Sequence, residues 1–151
     1  MSAVTVAFEP PTNPDLTALH EARLAFSLDG YDPEDCFTPP VAALGNPDMR
    51  FRVARVDGAA VGMAALRLDD GWGEVKAVFV DPNVRGKGIA RALMEDLEAT
   101  ARAEGLTILR LETGNLHKEA LVFYPRLGWR EIPRFDPYPA NDTSIFFEKA
   151  L

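Results

Sequence analysis

Two side-chain types that build covalent or metal centres are nearly missing from this 151-residue chain, which has one cysteine, Cys36, and two histidines, His20 and His117. A lone cysteine closes no internal disulfide, and so few ligands form no zinc-type set, so no structural metal is expected. Cys36 has no histidine beside it and reads as an inert thiol rather than a nucleophile. No apolar run approaches the roughly 20 residues that span a bilayer, and Met1 to Pro10 lack the basic start and apolar stretch of a signal peptide. A cytoplasmic protein without membrane contact is the expectation. Positive charge is also short: 16 Lys and Arg face 23 Asp and Glu, a net −7 that disfavours nucleic acid as a partner. The deficit is uneven, because residues 1–50 hold eight acids against Arg23 and Arg50 and so carry −6 of it.

What is present suits one core. At 47% hydrophobic the chain has the apolar material for a single domain over 1–151. Val4, Val6 and Phe8 suggest an extended start, and Pro14 or Asp15 opens a helical pattern through Leu16, Leu19, Leu24 and Leu28 that Gly30 stops. Tyr31 to Pro40, rich in Asp, Glu and Pro, reads as a loop and a candidate substrate rim, with a short helix over Val41 to Leu44. Strand patterns run from Phe51 to Val56 and from Ala60 to Leu68, joined by Asp57-Gly58 as a hairpin turn. After Asp70-Gly71 a further strand, Glu74 to Val80, ends at Asp81-Pro82.

Ile89, Leu93 and Leu97, supported by Ala90, Met94 and Ala101, then recur at helical spacing up to Gly105. Leu106 to Glu112 reads as a strand and His117 to Leu127 as an amphipathic helix. Trp129 to Ile132 and Ser144 to Glu148 look like closing strands. Strands and helices do not alternate strictly, so an α/β (α+β) mixed sheet flanked by helices fits better than a fully parallel one.

Between the Glu74–Val80 strand and the helix lies Arg85-Gly86-Lys87-Gly88-Ile89-Ala90. A helix N-terminus carries unpaired N–H groups and partial positive charge, and glycines there let a phosphate reach the backbone. Arg85, Lys87 and Arg91 add cations suited to a diphosphate. A plain turn that uses glycine for backbone freedom is the competing reading. The dinucleotide fingerprint fails because Arg91 stands where its third small residue belongs, and the P-loop pattern is absent.

What remains is R-x-x-G-x-A, and here the sequence resembles the GNAT superfamily of acyl-CoA-dependent N-acyltransferases, whose signature is a strand, a Q/R-x-x-G-x-G/A loop and a helix. Glu119 to Trp129, with Ala120, Tyr124 and Gly128-Trp129, looks like the family's later helix. The tail, with Phe135-x-x-Tyr138 and Ser144-x-x-Phe147-x-Lys149, resembles its closing segment. The likeness covers about residues 50–150. It implies a mixed, mostly antiparallel sheet of six to seven strands with about four helices, and acetyl-CoA as co-substrate with no metal.

The resemblance also implies roles. Arg85, Gly86, Lys87, Gly88, Ile89 and Ala90 would hold the coenzyme A pyrophosphate. Val78, Phe79 and Val80 would line the pantetheine arm, with a backbone N–H near Val78 or Val80 aimed at the thioester carbonyl. Tyr124 would donate to the departing thiolate. Glu74, placed by strict alternation on the face of Lys76, Val78 and Val80, matches the general base of some members, or else pairs with Lys76 or a neighbouring strand. His117 stands where relatives often carry Asn or Gln to hold the pantetheine or the adenine side, and would bind the cofactor there, or else is a solvated histidine at the helix start. Pro125 disturbs the helix behind Tyr124, by removing an N–H and biasing Tyr124 from helical angles.

For the acceptor, Phe26, Asp29, Tyr31 and Tyr138 are the chief candidates, with Asp32, Asp35 and Phe135 beside them, and the acidic rim suggests a cationic amine. The expected activity is acetyl transfer to a primary amine of a small molecule or peptide by direct attack in a ternary complex. A non-catalytic acyl-CoA-binding module is the alternative, and a nicotinamide-dependent oxidoreductase a third. Oligomeric state stays open, a homodimer included.

Overall fold

The β2–β3 hairpin shows how local chemistry starts this architecture. In the computed structural model, which describes residues 3–84 and 86–151, β2 (Met49–Val56) turns into β3 (Ala59–Leu68) through Asp57 and Gly58. Both turn residues have positive φ, 51° and 81°, as a two-residue turn between right-twisted strands requires. β1 (Val4–Phe8) pairs with the far side of β2, and β4 (Trp72–Val80) with the far side of β3. β5 (Ile108–Gly114), β6 (Arg130–Ile132) and β7 (Ser144–Ala150) complete one seven-stranded sheet in the order β1-β2-β3-β4-β5-β7-β6.

Every pairing is antiparallel except β4 with β5. A parallel pair needs a crossover, here α2 (Ile89–Ala103). α2 and α3 (Lys118–Arg126) cover one face, where Leu93, Met94 and Leu97 meet Leu66, Val75, Leu109 and Phe147. On the other face Leu19 of α1 (Thr17–Leu28), with Leu16 and Leu44, packs on Phe51, Val53, Met63 and Phe79. With both faces covered, β3 is buried continuously from Val61 to Leu66 rather than alternately.

The mixed sheet and its flanking helices are as the sequence predicts. Helices number three among the described residues, plus four short 3₁₀ turns at Pro14–Leu16, Pro33–Asp35, Val41–Gly45 and Pro82–Val84, where about four helices are expected. The difference lies in the entry segment, whose prolines hold those stretches to single turns. Pro125 does not break α3: it sits in the last turn, and the helix runs through Tyr124 to Arg126. No helix among the described residues is long and apolar enough to cross a membrane.

Candidate active site

The site begins with a defect in β4. Lys76 pairs with Ala65 and Phe79 with Met63, so Ala64 alone faces Ala77 and Val78, and Ala77 takes a left-handed φ of 57°. Such a bulge bends the strand and shifts its side-chain alternation by one. Beyond it β4 leaves β5: their pairing runs only from Trp72–Ile108 to Val75–Leu111. The two strands splay open past that point. A cavity of about 870 Å³ fills the gap, bounded by Val78 and Val80 on one side and Glu112 and Gly114 on the other.

One end of the cavity is the start of α2. The helix is capped by Gly88 with φ 73° and no side-chain cap bond, and its first backbone bond runs from Ala92 N–H to the Gly88 carbonyl, 3.0 Å. The preceding N–H groups have no helical acceptor and lend this end partial positive charge. Gly86, Gly88, Ile89, Ala90 and Arg91 all line the cavity. A Cβ added at Gly86 or Gly88 would meet nothing within 4 Å, but both residues have positive φ, so the glycines serve the backbone turn and not packing. The donor set suits a diphosphate. Lys87 is exposed and stands outside the lining. Arg85, expected at the same ligand, lies outside the described residues.

Tyr124 is 6% exposed yet lines the cavity, wedged edge-on against Trp129 at 5.7 Å between ring centroids. Burial pushes its phenol above the ordinary tyrosine range. It is therefore a hydrogen-bond donor at any neutral pH. His117 caps α3, with its ring stacked on Phe26 at 4.5 Å and inclined to Tyr31 at 5.2 Å. Desolvation lowers its pKa, opposed by Asp29. The Tyr31 hydroxyl accepts from the Leu116 N–H at 2.7 Å and lies where a Cβ on Gly114 would sit. Phe26, Asp29, Tyr31 and Tyr138 line one cavity together with His117 and Asp35. Phe135 lies behind Tyr138, edge-on at 5.3 Å, and like Asp32 is not part of the lining.

Of the two readings of Glu74, the structure shows the pairing with Lys76 and with the neighbouring strand β3, though buried and not at the surface. Glu74 is absent from the lining, and held by Arg67 at 3.0 Å, Lys76 at 3.3 Å and the hydroxyl of Tyr138. The bulge explains the placement. Ala77 and Phe79 pack toward α1, whereas Val75, Val78 and Val80 pack toward α2, so Glu74 does not share a face with Val78 and Val80. The acidic rim is also offset, because the lining carries Arg23, Lys76, Arg91 and Lys118 as well as carboxylates.

A carboxylate that the sequence reading passed over lies in the gap itself. Glu112, half-buried on β5 one residue past the end of the β4 pairing, lines the cavity and accepts from Ser144 Oγ at 2.5 Å. Burial raises its pKa, against the lowering effects of Ser144 and Lys76, and Glu74 adds to the rise. A carboxyl held above its ordinary range is suited to take up a proton near neutral pH. The available signal was positional: the carboxyl ends of parallel strands are where open sheets leave room for ligands.

Comparison with known proteins points the same way. The sequence model of the acetyltransferase (GNAT) family matches residues 13–129. The IAA acetyltransferase of Azospirillum brasilense is 39% identical over the full length of both chains. A crystal structure of an acyl-CoA N-acyltransferase from Klebsiella pneumoniae superposes with a TM-score of 0.79 at 34% identity, covering 100% of this chain and 98% of the other. The paia N-acetyltransferase of Thermoplasma acidophilum, solved with coenzyme A, shares the fold at 18% identity, with a TM-score of 0.75 and 99% of each chain covered.

Proposed function

The chain belongs to the acetyltransferase (GNAT) family, and from that premise we propose that residues 1–151 form one domain that moves an acetyl group from acetyl-CoA to a primary amine of a small molecule or peptide, by direct attack. One observation carries the reading: a single cavity at the gap between β4 and β5 is lined by the start of α2, Tyr124 and Glu112.

Each part has a task. The α2 N–H groups, with Arg91 and the Arg85-to-Ala90 loop, bind the pyrophosphate of coenzyme A. The unpaired edge of β4 past the bulge takes the pantetheine arm along Val78, Phe79 and Val80, and a backbone N–H there meets the thioester oxygen as charge develops on it. The acceptor arrives as an ammonium and must lose two protons. Glu112 takes the first and passes it to solvent, which frees the nitrogen lone pair. Nitrogen attacks the carbonyl carbon, the C–S bond breaks, and the second proton ends on the coenzyme A thiol.

Tyr124 acts on the departing sulfur. A phenol raised by burial is a weaker acid than a thiol of ordinary pKa about 8.5, so full proton transfer from it is uphill. A hydrogen bond to the thiolate is the contribution its environment favours. Glu74, tied to two cations and a phenol, holds Tyr138 and Lys76 in place rather than serving as the base. The test is coenzyme A release across a panel of amines, amino acids, polyamines and peptides. The proposal requires acceptor-dependent release, and hydrolysis unaffected by every amine despite acetyl-CoA binding would defeat it.

A further inference from the structure

The most buried arginine among the described residues has no carboxylate partner among them. Arg50, Arg52, Arg55, Arg67, Arg110 and Arg130 each pair with an acid, and all are more exposed than Arg23, which is 1% exposed on α1. Among the described residues Arg23 makes no salt bridge. Its contacts are Nη1 to Thr38 Oγ1 at 2.6 Å, Nη1 to the Pro39 carbonyl at 2.9 Å, and Nη2 to His20 Nδ1 at 3.5 Å. His20 Nε2 lies 2.9 Å from the Pro11 carbonyl and must donate to it, which leaves Nδ1 as the acceptor that steadies Arg23.

A guanidinium carries five N–H donors. Three have partners here. Nε has none, and one N–H of Nη2 remains with it. Burial lowers the pKa of Arg23 to about 10, so it stays charged at neutral pH. An unpaired buried cation is costly, and this one, with its partners Thr38 and Pro39, is among the residues that line the cavity, as are the acceptor candidates Phe26, Asp29, Tyr31 and Tyr138. A ligand carboxylate there would supply both the missing counter-charge and acceptors for the two unused donors.

We propose that the amine acceptor also carries a carboxylate, and that Arg23 is the residue that binds it. The proposal rests on the acetyl-transfer reading and narrows the acceptor from amines in general to amino acids. Matched acceptor pairs test it: 4-aminobutyrate against butylamine, and phenylalanine against phenethylamine, each assayed by coenzyme A release. The carboxylated member of a pair should show about a 10- to 100-fold higher kcat/KM, the size expected of a charged hydrogen-bonded contact. Arg23→Gln should remove that preference while leaving the KM for acetyl-CoA unchanged.

Because a core variant can fail to fold, calorimetric titration of the wild-type protein with butyrate in the presence of coenzyme A serves as a second measurement. It should show binding that butanol does not. Equal kcat/KM within both pairs, or no butyrate binding, overturns the role of Arg23 and leaves the transferase reading intact. Butyrate binding without turnover of any amine overturns the transferase reading and keeps the carboxylate site.

Discussion

Replacing Glu112 by Gln separates a proton-accepting role from a structural one. Glutamine keeps the shape of the side chain and an oxygen to accept from Ser144 Oγ, now 2.5 Å from the carboxylate, so packing changes little. What disappears is the basic oxygen. Loss of a positioned general base typically costs 10²–10⁴-fold, and kcat/KM should fall by about that much. The wild-type profile of kcat/KM should drop as pH falls through a pKa above the ordinary glutamate range, since burial raises that of Glu112. The variant should lack that limb.

Stability should move the other way. A carboxyl whose pKa is higher folded than unfolded favours the native state only below its unfolded pKa, and that benefit is lost as pH rises through the folded pKa. At neutral pH the ionised Glu112 is therefore a cost, and Glu112→Gln should leave Tm unchanged or higher. Glu74→Gln provides the contrast. It removes the charge that faces Arg67 and Lys76 and one of the two acceptor oxygens they use, and leaving buried cations without their counter-charge is destabilising, so urea unfolding should report a clear loss. Retention of the acidic limb and of near-full activity in the Glu112 variant would refute the assignment of the base.

Tyr124→Phe removes a hydroxyl that has no hydrogen-bond partner among the described residues, so Tm should hold while kcat drops about 10-fold or more and calorimetric acetyl-CoA affinity is retained. Gly114→Ala places a Cβ in collision with the Tyr31 hydroxyl, and the displaced ring should raise the acceptor KM several-fold more than the acetyl-CoA KM in initial-rate kinetics. Leu93→Ala empties a site with 0% exposure between α2 and the sheet and should lower unfolding free energy by about 2–5 kcal/mol in urea.

Much of the fold was legible in the chain because its signals are local. Asp57-Gly58 dictates a turn through two positive φ angles, and Ile89, Leu93 and Leu97 mark one face of a helix by spacing alone. Gly86 and Gly88 announce an open helix start because only the backbone is involved. Tyr124 became a candidate through motif resemblance, and it lines the same cavity as Phe26, Asp29, Tyr31 and Tyr138.

The rest was decided by long-range contact. Strict alternation placed Glu74 with Val78 and Val80, and an alanine at φ 57° reversed it. No residue type at position 77 declares a bulge, since the strain is imposed by pairing with β3. Glu112 became a candidate base only when β4 left β5 and opened space before it. Arg23 is one of only two Lys or Arg in residues 1–50, and nothing in the sequence marks it as buried. Only the tertiary structure buries it without a carboxylate, because which acids reach which bases depends on how the strands and loops pack and not on their order along the chain.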